Sequence, residues 1–423
     1  MKLKTILLFF LTFALFSCHR EPDSPQPVRY SVELLYPSAE TVISTDTFSV
    51  IIKINSSDTS TFSDIAISGG VVQPFQPQVY KRLLSKSMFL SPRINIPVTF
   101  INDENTVYAD TIRLVYFKLK YESSFEMVSK RSNHASTVIS GSEILTTGGV
   151  SGLEANALET VEIFNTATNQ STQSNGQMNV GRAGHGIFYD QSSSKVYVFG
   201  GGKRQYASDG DGEKIPNERF LVGQPSVNSV NVILDQDFAY YFDGINLFIQ
   251  GGVNKTGYST LYTYYSLNDS LEIKLLNQRS IEMGEHTLIQ DPVYSGYVFF
   301  LGYEFNGENS DLNAGFIGKY SGGIYNENIQ LYEPRNEHCA MNLDYDFALV
   351  SGGFSVVNGS EKILDSFELI DLKTLKTYKI AQKMSSEHAS HTMCKLGNTF
   401  FILGGYNQTG NVLKSIEKFN YQF

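Results

Sequence analysis

The chain has 423 residues, 41% of them hydrophobic, which is enough for a sizeable core and for two or three domains. Its formal net charge of -10 disfavours nucleic acid, because phosphate binding needs a surplus of Lys and Arg, and no nucleic-acid partner is expected. With 25 Tyr, 29 Phe and no Trp, the composition favours the pleated, half-buried surfaces of β-structure.

The chain opens as a targeting segment. Lys2 and Lys4 precede an apolar run from Thr5 to Phe16, too short to span a bilayer comfortably and the right length for a signal core. The run ends Leu15-Phe16-Ser17-Cys18. This resembles the lipobox of bacterial lipoproteins, with Phe16 bulkier than usual. The resemblance implies cleavage before Cys18, lipidation of Cys18, and a place in the cell envelope, at the outer membrane and facing the periplasm or the surface. The alternative is an ordinary secretory signal cleaved nearby, or an uncleaved anchor. Residues 19–27 are polar and proline-rich, a tether that reads as extended. Contact with the membrane is expected through the lipid alone, and the protein is expected to be monomeric.

Residues 28–118 show period-two apolar segments over Tyr30–Leu34, Phe48–Ile54, Ile65–Ile67, Val79–Leu84, Ile94–Phe100 and Thr111–Phe117. Turn clusters such as Asn55-Ser56-Ser57-Asp58 and Asn102-Asp103-Glu104-Asn105 separate them. Six or seven short strands in this length predict an immunoglobulin-like β-sandwich, without the cysteine pair or Trp of antibody domains. A spacer role is the plain reading.

From 119 a diglycine recurs at the end of a short apolar run. Its first glycines are Gly148, Gly200, Gly251, Gly352 and Gly404, with Gly302 in a degraded copy. So steady a spacing is the mark of a repeat architecture. Each unit lays out as four strands, a to d; the first runs His134–Ile139, Glu143–Thr147, Thr160–Asn165 and Ser171–Gln177. The stretches Val161–Asn169, Phe367–Lys376 and Ser415–Asn420 and the diglycines resemble the kelch repeat over about 300 residues, though the usual Trp of strand d is missing and the third and fourth units match poorly in strand c. The resemblance implies a β-propeller, here of six blades over 119–423. The last unit ends after its strand c, so 121–129 is expected to pair with 415–421 and close the ring.

Counting back from the diglycine aligns His134, His185, His286, His338 and His388. Arg131, Arg182 and Arg335 stand three residues before their histidines, Arg279 stands seven before His286, and Glu285, Glu337 and Glu387 immediately precede theirs. Strand a begins and strand b ends at one face, so these residues and the b–c loops share one mouth. They are the candidate ligand-binding set. Hydrogen bonding between blades is the structural reading. A polar pocket whose guanidinium groups take a carboxylate or hydroxyl-rich ligand is the functional one. His388 and His391 point to opposite faces of a strand, so no metal is assigned, and no cofactor is expected. The acidic loop Asp209–Glu213 lacks a completed calcium-loop spacing and reads as exposed. Tyr206, Tyr258, Tyr303, Phe305, Phe354 and Tyr406 on the b–c loops offer rings for a sugar or peptide. Cys339 and Cys394 read as free thiols.

No nucleophile, phosphate-loop or dinucleotide motif is present. The expected function is therefore binding of a protein or glycan ligand at the loop-rich mouth. The alternative, drawn from the kelch resemblance, is a carbohydrate-active isomerase of the sialic-acid mutarotase or epimerase kind, using the Glu-His pairs as acid–base groups. No catalytic residue is assigned on sequence.

Overall fold

A computed structural model of the chain describes residues 29–57, 59–152, 155–203, 215, 217–228, 238–242, 246–251, 260–267, 270–278, 282–290, 298–305, 316–321, 324–357 and 360–423. The signal segment, Cys18, the tether, Arg279 and the acidic loop Asp209–Glu213 lie outside them. Among the described residues the fold is all-β, interrupted only by two short 3-10 turns at Lys86–Met88 and Asp344–Asp346.

The chain divides into two compact units. The described part of the first runs to Tyr36 and adds Ser49–Arg82 and Ile96–Ile112. The second is Pro37–Phe48, Leu83–Asn95 and Arg113–Phe423. The N-terminal strands form two four-stranded antiparallel sheets. One orders Tyr30–Tyr36, Thr47–Ser56, Val79–Ser85 and Pro74–Gln76; the other orders Gly70–Val71, Phe62–Ile67, Arg93–Asn102 and Val107–Val115. Period-two sequence becomes period-two burial: Val50, Ile52 and Ile54 on one strand, and Ile94, Ile96, Val98 and Phe100 on another, are buried while their neighbours are not.

The repeat region forms six four-stranded antiparallel sheets, in chain order except for the last strand of sheet 6. Sheet 1 is Ala135–Ser140, Glu143–Thr147, Thr160–Asn165 and Gln170–Gln177. Sheet 2 is Gly186–Asp190, Lys195–Phe199, Glu218–Leu221 and Val227–Asn228. Sheet 3 is Phe238–Phe242, Asn246–Gly251, Thr260–Leu267 and Ser270–Gln278; sheet 4 is Glu282–Gln290, Val298–Phe305, Phe316–Ser321 and Ile324–Gln330. Sheet 5 is Cys339–Asn342, Phe347–Ser351, Phe367–Asp371 and Lys376–Lys379, and sheet 6 begins Thr392–Leu396, Thr399–Leu403 and Ser415–Gln422.

The fourth strand of sheet 6 comes from the far end of the repeats. Lys118–Glu126 pairs antiparallel with Ser415–Gln422, from Glu126 opposite Ser415 to Lys118 opposite Gln422. The expected pairing is therefore present, three residues earlier than the 121–129 read from the sequence. Each first strand neighbours the first strand of the next sheet, and that of sheet 6 neighbours that of sheet 1.

Apolar cores lie between consecutive sheets. Leu145, Val161, Ile187 and Val198 cluster between sheets 1 and 2. Ile144, Phe164, Phe401 and Ile416 cluster between sheets 6 and 1. Between sheets 5 and 6, Phe347, Phe367, Phe400 and Phe419 pack with Val115 and Phe117 from the segment that leads into the repeats.

Sheet 5 also carries the two segments of the second unit that precede residue 113. Lys379 N–H donates to the Glu40 carbonyl at 2.8 Å. Arg93 makes a two-point ion pair with buried Asp371, Nε to Oδ2 at 2.8 Å and Nη2 to Oδ1 at 2.5 Å, with its guanidinium carbon 4.4 Å from the Phe347 ring centroid. The second strand of sheet 4 runs through Gly302 to Phe305, so Tyr303 and Phe305 lie on a strand rather than on the expected b–c loop.

Candidate functional site

Each sheet is entered by a segment that turns under the end of its second strand. Bridges between Ser132 and Val150, Ala183 and Gly202, Asn336 and Phe354, and Ala389 and Tyr406 tie these entry segments to the b–c loops. The d–a and b–c segments thus meet at one end of the sheets, as strand direction requires.

The arginines there face inward. Arg131 and Arg182 are fully buried and Arg335 is 1% exposed. Each donates from Nη1 to the carbonyl of the first glycine of its own sheet: Gly148 at 2.6 Å, Gly200 at 2.9 Å and Gly352 at 2.8 Å. Each also pairs through Nη2 with a buried glutamate of the third strand, Glu162 at 2.7 Å, Glu218 at 2.5 Å and Glu368 at 2.7 Å. Those carboxylates in turn accept backbone N–H groups of the entry segment, as Glu162 does from Val128 and Ser129, both at 2.9 Å. Buried charges persist only when paired and hydrogen-bonded in this way. The guanidinium groups expected to meet a ligand are instead clamps within their own sheets.

His388 is the fourth clamp, and its alignment must be corrected. It donates from Nδ1 to the Gly404 carbonyl at 2.7 Å, and its Nε2 lies 3.0 Å from Glu417 Oε1. It therefore occupies the arginine position, and His391 takes the histidine position of sheet 6. Glu417 is buried, which raises its pKa, yet the hydrogen bond and charge of His388 and the bonds from Ser385 outweigh this and leave it lowered.

Among the described side chains the histidine series is His134, His185, His338 and His391, all buried. Nε2 of His185 is hydrogen-bonded to Thr147 Oγ1 of sheet 1 at 2.8 Å, and that of His391 to Ser351 Oγ of sheet 5 at 2.7 Å. His134 reaches Thr392 Oγ1 of sheet 6 at 3.0 Å. These are bonds between neighbouring sheets. Burial, and then the charge of Arg131, press the His134 pKa down to about 3. Burial first, with neighbouring Arg and His behind it, holds His185 and His391 well below the ordinary value. Such imidazoles stay neutral near pH 7, and none of these three belongs to a Glu-His pair.

The diglycine makes this packing possible. At Gly148, φ is +61°, and an added Cβ would collide with the Arg182 carbonyl and the His185 ring of the next sheet. At Gly149, φ is +83°, and a Cβ would lie 2.6 Å from Ser132 O and 2.7 Å from His134 Cβ. Only glycine fits both the conformation and the approach.

The residue ahead of each histidine of this series differs from all of these. Asn133, Gly184, Glu337 and Ser390 have φ of 51°, 60°, 49° and 51° and are only half-buried. Gly184 N–H donates to Asn133 O at 2.9 Å, Asn133 N–H to Ser390 O at 3.0 Å, and Ser390 N–H to Glu337 O at 2.9 Å. This forms a hydrogen-bonded collar across sheets 2, 1, 6 and 5. Left-handed backbone at non-glycine residues is strained and tends to be kept where function needs it. On the collar, Glu337 Oε2 accepts from Ser390 Oγ at 2.5 Å and from Tyr406 Oη at 2.7 Å. Glu387 is half-buried on its entry segment.

Of the other expected site residues, Arg279 lies outside the described residues, as do the side chains of Glu285 and His286, which fall on the first strand of sheet 4. Tyr206 and Tyr258 also lie outside; Phe354 opens a small hairpin, Phe354–Val357 with Ser360–Ile363, in the b–c loop of sheet 5. Cys339 and Cys394 are free thiols, and burial raises both, Cys339 to about 11.

Sequence reasoning missed the third-strand glutamates and the collar. The signal for the first was present, since a glutamate recurs in Val161-Glu162-Ile163, Phe367-Glu368-Leu369 and Ile416-Glu417-Lys418. So was a spacing of four from Met127, Met178, Leu331 and Met384 to Arg131, Arg182, Arg335 and His388. These four apolar side chains all enter the cores between sheets.

The architecture is thus an all-β chain of antiparallel sheets with a propeller-like likeness among solved structures. One such structure, titled "Structure of YjhT", is similar over 70% of this chain and 99% of its own, with a TM-score of 0.50 and 11% sequence identity. That likeness concerns the fold alone. No family model matches the chain, and no curated protein matches it.

Proposed function

We propose that this chain is an exported envelope lipoprotein, anchored through Cys18, in which an immunoglobulin-like sandwich precedes a six-bladed kelch propeller that captures a protein or glycan ligand at its loop-bearing end. The observation that carries the binding role is the collar. With the arginines and histidines used inside and between sheets, Asn133, Glu337, Ser390 and Tyr406 are half-exposed polar groups held in place at that end. A rigid framework with adaptable loops around it is the usual setting of a binding surface.

The test is a screen of glycans and envelope proteins against the purified full chain, followed by the triple variant Glu337→Gln, Ser390→Ala, Tyr406→Phe. Loss of capture with an unchanged melting temperature is the expected result. Capture at wild-type strength would place the site elsewhere.

The isomerase reading keeps one specific support. Glu337, held by two hydroxyls at the mouth, is the carboxylate best placed for proton transfer. Anomer exchange of sialic acid, followed by NMR with the wild-type chain and Glu337→Gln, decides it. Exchange no faster than in buffer removes the reading.

A further inference from the structure

The first N-terminal sheet buries one face and leaves the other without a partner among the described residues. Val50, Ile52, Ile54 and Tyr80 point inward. On the outward side, Tyr36 is 54% exposed and stands opposite half-buried Ile51, next to Leu35 at 45%. Phe75 on the edge strand is 61% exposed, with Lys81 Nζ 6.0 Å from its ring centroid. Lys53 lies on the same face as Ile51, two residues along, opposite Glu33, whose carboxylate accepts from Asn55 Nδ2 at 3.0 Å. Aromatic and aliphatic side chains interleaved with lysines match the chemistry of a membrane interface, where rings sit at headgroup depth and ammonium groups meet anionic lipid.

The chain preceding this sheet names the occupant. Ten residues lie between Cys18 and Arg29, eleven steps along the chain, and the first strand begins at Tyr30. Even fully extended they reach at most about 40 Å. A lipid on Cys18 would therefore keep the start of this sheet within about 40 Å of the bilayer.

We propose that the outward face of Leu35, Tyr36, Ile51, Lys53, Phe75 and Lys81 rests on the headgroup region of an anionic bilayer. The inference depends on the lipid-anchor reading above. It gives the N-terminal sheets a task beyond spacing, since a second, weak contact fixes the orientation of a singly tethered unit.

The chain contains no Trp, so one introduced Trp is a unique reporter. Tyr36→Trp, Phe75→Trp and Val107→Trp are compared in the full chain on mixed phosphatidylethanolamine and phosphatidylglycerol vesicles with brominated acyl chains. Val107 is 65% exposed on the other sheet and serves as the control. The first two variants should show blue-shifted, quenched emission, and the control should not. Equal emission from all three, quenched or not, overturns the face. Acylation is read separately, from the mass of the mature chain against Cys18→Ser. If no acyl mass is found, the anchor reading fails; the face then stands or falls on whether Tyr36→Trp and Phe75→Trp still respond to the vesicles when Cys18→Ser is added to them.

Discussion

Sheets 1, 2 and 5 and sheet 6 solve the same problem with different parts. The first three are continuous in the chain and clamp the entry segment with Arg131, Arg182 and Arg335. Sheet 6 joins the two ends of the repeat region and clamps with His388. An arginine reaches a backbone carbonyl and a carboxylate at once through its fork of donors. An imidazole reaches both only because its two nitrogens lie on opposite sides of a compact ring. The common requirement is therefore a side chain that bridges the first glycine's carbonyl and the third-strand glutamate, not a guanidinium as such.

The largest effect is expected at the seam of sheet 6. Deleting 118–126 exposes the whole Ser415–Gln422 edge and removes Phe125 from its contact with Phe164, 5.6 Å between centroids. The melting temperature should fall sharply and aggregation should rise, as measured by calorimetry and light scattering. Deleting part of the two-residue fourth strand of sheet 2, Val227–Asn228, should cost far less. Equal losses would mean that sheet 6 is no special joint.

Next comes the clamp itself. Arg335→Ala leaves Glu368 buried and without its cation, a loss of about 3–5 kcal/mol in denaturant unfolding. Arg335→His should lose less, because His388 shows that an imidazole can serve this geometry. If Arg335→His is as damaging as Arg335→Ala, the equivalence of the two clamps is wrong.

The buried histidine series makes the fold acid-sensitive. A histidine whose folded pKa is depressed binds fewer protons folded than unfolded, so its contribution is full above the unfolded pKa of about 6.5 and is lost as pH falls. With the folded value of His134 near 3, the loss at pH 5 is about 2 kcal/mol from that residue alone. Depressed Glu417 adds a further loss below its ordinary range, because its charged form belongs to the folded state. Unfolding free energies measured between pH 7.5 and 4 should fall monotonically, and less steeply in His134→Gln.

How much of this was legible follows from what repeats. The diglycine period located every second strand, and strands Glu143–Thr147 and Thr160–Asn165 fall where the pattern placed them. Sheets 3 and 4 formed their third strands, Thr260–Leu267 and Phe316–Ser321, with little sequence likeness to the others, because pairing to a neighbour compensates for a weak local pattern. The misreading of His388 has a definite cause. The count back from the first glycine varies by two residues among the repeats, so it admitted His388 and left out His391 three residues later, and only their hydrogen-bond partners assign the two correctly. The collar was hidden because its signature is backbone conformation, which Asn133, Glu337 and Ser390 do not share in composition.

The smallest effect tests how the sheets adjust to one another. The residue before the first glycine is Thr147 in sheet 1 and Ser351 in sheet 5, and each bonds the histidine of the following sheet. In sheet 6 that position is Leu403, which offers no hydroxyl, and His134 turns to Thr392 instead. Thr392 also donates to Ser136 Oγ at 2.9 Å, so this substitute belongs to a small network. Thr147→Val should cost about 1–2 kcal/mol, the price of a buried imidazole nitrogen without a partner. Thr392→Val should cost slightly more, since Ser136 loses a donor as well. If Thr147→Val proves neutral, the hydroxyl is dispensable, and Leu403 would then represent the rule for this position and Thr147 the exception.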